Sequence, residues 1–357
     1  MRRLYFIFIV VFTVFVSVQC GQQKQITVTD AVMQQVFEEA KTPYKYGIVV
    51  KDTDSTKLVD SPTIFRVGDE WFMTYIVFDG KGYETWLAES DDLLHWTTKG
   101  KTMPFTENTW DATQKAGYPS LVDTKWGGSY APLQYDNKYW ISYLGGNVAG
   151  YEAGRLGVGM ANTSALDKAD AWTKLDKPVL SANDSDSRWY DSATIFKSSV
   201  IYDADGLTGY PYVMYYNAAG NYPATGVHCE SIAMAGSENM INWKRIGKEP
   251  VITKGRGICG DAQLVKMDDL YVLFYFGFNW KDGEEGAFDR FACSYDLQNW
   301  TEWKGANLIE PSVSYDKQYA HKPWIIKWKG VVYHFYDAVG DSGRVIALAT
   351  SKDLQKK

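Results

Sequence analysis

Apolar residues in this chain come in short runs, not helical stripes. The runs cover 71–78, 139–144, 212–216, 271–278 and 331–339, and all are rich in aromatic and β-branched residues. Runs of that length, bounded by Gly, Asp and Asn, predict β-strands. Before each lies another apolar run that opens on a polar or small residue: Asp60, Ser129, Asp191, Gly260 and His321. After each comes a recurring phrase. Leu87-Ala88-Glu89-Ser90-Asp91-Asp92-Leu93-Leu94-His95-Trp96 is echoed by the segments 234–243, 292–300 and 348–354, and more loosely by 160–166.

The openings are spaced 61 to 69 residues apart. Self-similar units of short strands mean a propeller or a solenoid. This spacing leaves room for four strands and generous loops, so five units predict an all-β, five-bladed β-propeller. The chain stops just after the last copy of the phrase, where other copies continue into a fourth strand. Residues 46–50 form a spare strand-like segment ahead of the first unit. They are expected to complete the last blade and remove an open sheet edge. Residues 29–40 read as a short amphipathic helix outside the blades.

The N-terminus reads as an address. Arg2 and Arg3 precede an apolar run over 4–16, too short to span a bilayer, which needs about 20 residues. Cys20 follows it, as in a bacterial lipobox. The expected division is a lipoprotein signal over 1–19, lipidation at Cys20, a tether and helix over 20–45, and one propeller domain over 46–357. The expected location is the periplasm or cell surface of a bacterium, held to the outer or inner membrane by the lipid. Three cysteines remain after Cys20 (Cys229, Cys259 and Cys293), an odd number that cannot all pair internally. They are expected as buried thiols.

Charge excludes one class of partner. There are 37 basic and 43 acidic residues, a net −6, and loss of Arg2 and Arg3 on cleavage takes it to −8. A nucleic-acid binder would present a basic surface. Aromatic residues make up 15% of the chain, with 14 Trp and 25 Tyr. Aromatic rings stack on sugar faces, which points toward an oligosaccharide or polysaccharide.

In a propeller, the inner strands start around one end of the central axis. Asp60, Ser129, Asp191, Gly260-Asp261 and His321 would converge there, and the third strands would add Glu84, Glu152, Glu230, Asp289, Arg290 and Arg344. Clustered carboxyls push each other's pKa values apart. A raised carboxyl donates a proton and a depressed one accepts it, the pair that glycosidic hydrolysis needs. Tyr83, Trp110, Trp126, Trp189 and Trp280 are candidate sugar platforms in the loops. Arg155, Arg290 and Arg344 are candidates for an acidic sugar's carboxylate. Trp96, Trp243 and Trp300, which close the recurring phrase, are expected in the core. The loops 184–186 and 282–285 are expected to be solvated rather than calcium-binding.

These motifs carry a resemblance. Asp60-Ser61-Pro62, the hairpin Arg66-Val67-Gly68-Asp69, Ser129-Tyr130-Ala131-Pro132, Tyr190-Asp191-Ser192, Gly260-Asp261-Ala262 and Ala320-His321-Lys322-Pro323 are similar to motifs of glycoside hydrolase family 43 and its clan of propeller glycosidases. The resemblance spans about residues 46–354. It implies an exo-acting, inverting hydrolase of arabinofuranosyl- or xylosyl-like terminal sugars on plant or algal fragments. Asp60 would be the base, Asp191 the modulator and Asp261 the acid, with Glu230 (or His228) as the alternative acid. Inversion places base and acid roughly 6.5–9.5 Å apart. Tyr83, Glu84, Trp126, Tyr130, Trp189, Trp280, Arg290, His321 and Arg344 would contact substrate. No cofactor is required, and a calcium or sodium ion or a water would lie in the central channel near His321. Two departures stand out: Ser61 separates Asp60 from Pro62, and Asp261 stands where the family has Glu. Asp60 therefore needs a bulge to face the axis. A non-catalytic carbohydrate-binding propeller is the alternative reading.

Overall fold

The computed structural model describes residues 27–281, 284 and 286–355. The signal segment, Cys20 and most of the 282–285 loop lie outside the described residues. Among the described residues, no helix is long and apolar enough to cross a membrane.

Helix α1 (Asp30–Ala40) and strand β1 (Tyr44–Val50) come first. Four consecutive strands then pair antiparallel: β2 (Leu58–Val67), β3 (Glu70–Phe78), β4 (Tyr83–Ser90) and β5 (Thr97–Met103). The pattern repeats with β6 (Gln114–Pro119), β7 (Tyr139–Gly146) and β8 (Gly157–Thr163), where β9 (Thr173–Lys174) and β10 (Leu180–Ser181) both pair with β8. It repeats with β11 (Thr194–Tyr202), β12 (Tyr212–Asn221), β13 (His228–Ser237) and β14 (Trp243–Ile246), then with β15 (Gly257–Met267), β16 (Leu270–Phe278), β17 (Ala287–Ser294) and β18 (Thr301–Glu302). Last come β19 (Tyr319–Trp328), β20 (Val331–Gly340) and β21 (Gly343–Thr350). Strand β1 lies antiparallel on β21, from Tyr44 opposite Thr350 to Val50 opposite Ile346. Short parallel contacts join neighbouring groups where β4 meets β6 and β13 meets β15. The result is an all-β, propeller-like architecture.

The recurring phrase is one turn used repeatedly. Ser90 Oγ accepts from Leu93 N–H, and Ser237 and Ser294 accept from the backbone two residues on. Leu93, Met240 and Leu297 adopt φ of 70°, 60° and 63°. Such values cost a non-glycine residue about 1–2 kcal/mol. The indole N–H groups of Trp96, Trp243 and Trp300 donate to the carbonyls of those three residues. Each tryptophan thus locks its own turn while its ring covers apolar side chains.

Apolar side chains of adjacent groups fill the space between them. Val59, Ile64 and Met73 meet Ile326, Phe335, Ile346 and Leu348, which joins the first group to the last. Helix α1 is capped by the Thr29 hydroxyl and turns Met33, Val36 and Ala40 onto Val265, Leu270, Val272 and Ile325. The remaining thiols, Cys229, Cys259 and Cys293, are free and buried.

The second group departs from expectation. Its first strand is β6, not a run opening on Ser129. Gln114 and Lys115 are buried there, and their polar heads donate to the Val148, Gly150 and Ala112 carbonyls. Two satisfied polar side chains in a buried strand hide it from a hydropathy reading. Ser129 instead bonds Asp123 in the following loop.

Ile346 is fully buried at the junction of the first and last groups. Ile346→Ala should therefore destabilise the protein by about 2–5 kcal/mol. Urea denaturation followed by tryptophan fluorescence measures this, and a loss below about 1 kcal/mol would mean that the junction relaxes freely.

Candidate functional site

Four inner strands break their pleat near their starts. The register slips in β2 between Asp60 and Thr63, in β11 between Ile195 and Ser198, in β15 between Gly260 and Gln263, and in β19 between His321 and Trp324. Ser61, Asp261 and Lys322 have φ of 51°, 55° and 61°. A bulge lets neighbouring residues face the same side. Asp60 with Ser61, Phe196 with Lys197, and His321 with Lys322 therefore all line one cavity of about 220 Å³. The bulge that Asp60 required is present.

Asp60 is the electrostatic centre. Its carboxylate accepts from Ser61 Oγ at 2.7 Å, Lys322 Nζ at 2.7 Å and the Arg344 guanidinium. Burial opposes its charge, but Lys322 and Arg344 outweigh burial and hold the carboxyl well below the usual range. Beneath it, burial and the Asp60 charge push the Asp337 carboxyl well up, and Asp337 Oδ1 accepts from Ser61 N–H. Arg344 also donates to the Tyr151 hydroxyl.

A different pair of carboxyls faces the same space. Glu230, at the start of β13, accepts from Asn217 Nδ2 at 2.9 Å through Oε2. Burial, reinforced by Glu152, pushes Glu230 up to about 8. Glu152 lies in the β7–β8 loop with φ of 48° and accepts from the Tyr83 hydroxyl at 3.1 Å. Burial raises its pKa too, with Lys322 opposing. Gln114 holds that loop through the carbonyls of Val148 and Gly150. At Gly260 a Cβ would meet Asn217 Nδ2 at 2.6 Å, so the missing side chain leaves Asn217 its place beside Glu230.

The structure brings together Asp60, Asp261, Glu230, Tyr83, His321 and Arg344 of the expected residues. Others belong elsewhere. Asp191 sits in a 3-10 turn outside the cavity lining, buried, and bonded to Arg245, the Tyr216 hydroxyl and Arg188 N–H. Lys197, in the bulge of β11, takes the cavity position expected for it. Glu84 is buried against Lys101 and Phe105 N–H. Trp126 bonds Glu39 of α1. Tyr130 bonds the backbone of Lys327, at the far end of β19. Trp189 donates to Glu249 and packs on Tyr222. Trp280 donates to the Ile258 carbonyl, and Arg290 is held by Asn307 behind it. Arg155 bonds Asn183. Trp110 stacks on Tyr143. None of these lines the cavity.

Lys197, Lys322 and Asn217 carried no expected role, and Glu152 appeared only as a third-strand start. Lys322 stood in the motif Ala320-His321-Lys322-Pro323, so its signal was on view. Asn217 and Lys197 left none. Burial, with Lys322 and Arg344 alongside, holds the His321 imidazole well below the usual range and thus neutral. Among the described residues no group of three or more His, Cys, Asp or Glu is placed to hold a metal ion.

Two solved structures are 46% identical to this chain. One, named as a complex of BT0996 with RGII, superposes with a TM-score of 0.89 over 92% of this chain and 97% of its own. The other, named "Glycoside hydrolase", has a TM-score of 0.88 over the same shares. The chain belongs to the glycoside hydrolases. A thermostable family-43 glycoside hydrolase is 13% identical, with a TM-score of 0.61 over 85% of this chain and 91% of its own, and shares the fold of this hydrolase. No protein-family model matches the chain, and no curated protein matches it.

In this glycoside hydrolase, Lys322→Met would leave Asp60 buried with one cation. The expected cost at pH 7 is about 3–5 kcal/mol, the usual result of breaking a buried pair. Because the folded pKa of Asp60 is depressed, its contribution is full above the unfolded value of about 3.9 and is lost as pH falls through the folded value. The wild type should thus lose this contribution only below about pH 4, while in the variant, where burial meets one cation, Asp60 takes up its proton at a higher pH than in wild type. Urea denaturation across pH checks this, and equal stability of the two proteins at pH 7 would contradict it.

Proposed function

We propose that this hydrolase removes a terminal arabinofuranosyl- or xylosyl-like sugar from plant or algal polysaccharide fragments, with Glu230 as proton donor and Glu152 as the partner carboxylate. The observation that carries this reading is a glutamic acid lifted to about 8 in a cavity that a second carboxyl shares. In this reading the antiparallel groups are five blades around the cavity, and β1 is the outer strand of the last. An oligosaccharide is the substrate class, in keeping with a 46% identical relative named for a complex with RGII. Export as a lipoprotein rests on residues 1–20 alone.

The chemistry follows from the partners. Near neutral pH Glu230 carries its proton. Asn217 occupies Oε2, so the proton belongs on Oε1, free to meet the glycosidic oxygen. Burial raises Glu152 as well, and Lys322 and the Tyr83 hydroxyl offset part of that rise. Acid–base cleavage requires Glu152 to be the anion while Glu230 holds the proton. Asp60 fits the base role poorly, because Ser61, Lys322 and Arg344 occupy most of its accepting capacity. It stabilises positive charge nearby instead. The inverting course implied by the family resemblance relied on Asp60 as that base. With Glu152 in its place, the anomer formed first, read by NMR, separates activation of water from direct attack on the sugar.

The test is sugar release from a panel of plant and algal oligosaccharides, RGII fragments included, by residues 21–357. Glu230→Gln and Glu152→Gln should each lower kcat/KM by about 10²- to 10⁴-fold. The wild-type rate should fall as pH rises through about 8, where Glu230 loses its proton. Full activity in Glu230→Gln, or an unchanged rate at pH 9, would remove Glu230 from the donor role.

A further inference from the structure

Two polar groups in the cavity wall have no partner. Lys197 is 3% exposed and Asn217 is 4% exposed, and both line the cavity. Lys197 Nζ makes no hydrogen bond, and neither does Asn217 Oδ1. Asp261 Oδ2 stands 3.6 Å from Lys197 Nζ, close enough to balance its charge but too far for a hydrogen bond. The rings of Tyr118 and Trp324 lie 5.0 and 5.9 Å from the ammonium and accept no conventional hydrogen bond. An ammonium has three N–H donors, and leaving donors unmade in a buried place is costly. The other side of Asn217 is already spent on Glu230.

A donor seeking an oxygen and an acceptor seeking an O–H ask for the same chemistry. A hydroxyl supplies both. An anion suits the place badly, because Asp261 already balances Lys197, Lys322 and Arg344 are committed to Asp60, and Glu152 and Glu230 share the wall.

Resting on the hydrolase reading above, we propose that Lys197 and Asn217 are specificity residues that read hydroxyls of the sugar in the cavity. Lys197 donates to hydroxyl oxygens, Asn217 Oδ1 accepts from a hydroxyl, and the pair selects a neutral sugar over a uronate. Neither takes part in proton transfer.

The test is calorimetric titration of L-arabinose, D-xylose and D-galacturonate into wild type, Lys197→Met and Lys197→Gln. Wild type should bind at least one neutral sugar, and more tightly than galacturonate. Lys197→Met should weaken that binding by about 10- to 100-fold, the usual worth of a hydrogen bond to a charged group. Lys197→Gln, which keeps an N–H donor, should recover part of it. Lys197→Met and Lys197→Gln both leave Asp261 without its cation and should both melt lower than wild type, so recovery of binding in Lys197→Gln alone separates a binding role from a structural one. Deleting the contacted hydroxyl from the sugar should erase the difference between wild type and Lys197→Met. Unchanged neutral-sugar binding in Lys197→Met, tighter galacturonate binding, or no binding of any of the three by wild type overturns the proposal. Sugar release measured in parallel keeps the two readings apart. Binding that depends on Lys197 while Glu230→Gln still cleaves would overturn the donor assignment alone.

Discussion

Two successive side chains of a strand reach the same space only where the pleat is broken. The site depends on that constraint. Without the bulges in β2, β11, β15 and β19, one residue of each adjacent pair would turn away from the cavity. Asp60 would face the axis without Ser61, or His321 without Lys322. The left-handed backbone at Ser61, Asp261 and Lys322 is the local cost. The surrounding sheets sustain it, because each bulged strand is paired on both sides of the irregularity. Strain of this sort gathers where a protein must aim side chains.

The bulges also decide how charge is distributed. Asp60 comes from the first group of strands, and its cations come from β19 and β21 in the last. The ion cluster therefore spans the junction that Val59, Ile346 and Leu348 seal with apolar surface. A buried carboxylate with two cations and a hydroxyl around it is expensive to assemble and more expensive to break. Its value is in fixing positive charge at the cavity floor. Burial and that charge together hold the His321 imidazole below its usual range, and Lys322 offsets part of the burial that raises Glu152.

Much of the architecture was legible. The turn phrase ending at Trp96, Trp243 and Trp300 repeats because each copy needs the same left-handed residue and the same indole lock. Once seen, it gives the strand groups and their order. The spare segment near residue 46 does pair with the final strand. The site was legible only in part. Asp60, Asp261, Glu152, Glu230, His321 and Arg344 were placed by reasoning from strand starts, and Tyr83 as a loop aromatic. The same reasoning put Asp191 there too, because its surrounding sequence nearly copies that of Asp60, but a turn precedes β11 and Lys197 reaches the wall instead. Aromatic residues misled for a general reason: a tryptophan that packs between strands reads the same in sequence as one that stacks on a sugar. Trp126, Trp189 and Trp280 all donate their indole N–H to protein acceptors, and none of the three lines the cavity. Glu152 was dim because its position depends on Gln114, a contact between distant parts of the chain.

One cause, burial, acts on both Asp60 and Glu230, yet the two move in opposite directions. Burial alone would raise both. Around Asp60 two cations reverse it. Around Glu230 the strongest charged influence is another carboxyl, Glu152, which adds to it. The cavity therefore needs no exotic group to hold an acid and an anion side by side at neutral pH. It needs its cations on one wall and its second glutamate on the other. The bulged strands impose that division, since β19 delivers Lys322 beside Asp60 while the starts of the outer strands deliver Glu230 across from them. Moving a cation toward Glu230 would lower its pKa and cost it the proton. Among the described residues lining the cavity, Lys197 is the cation that makes no hydrogen bond to a carboxylate, and Asp261, 3.6 Å away, balances its charge.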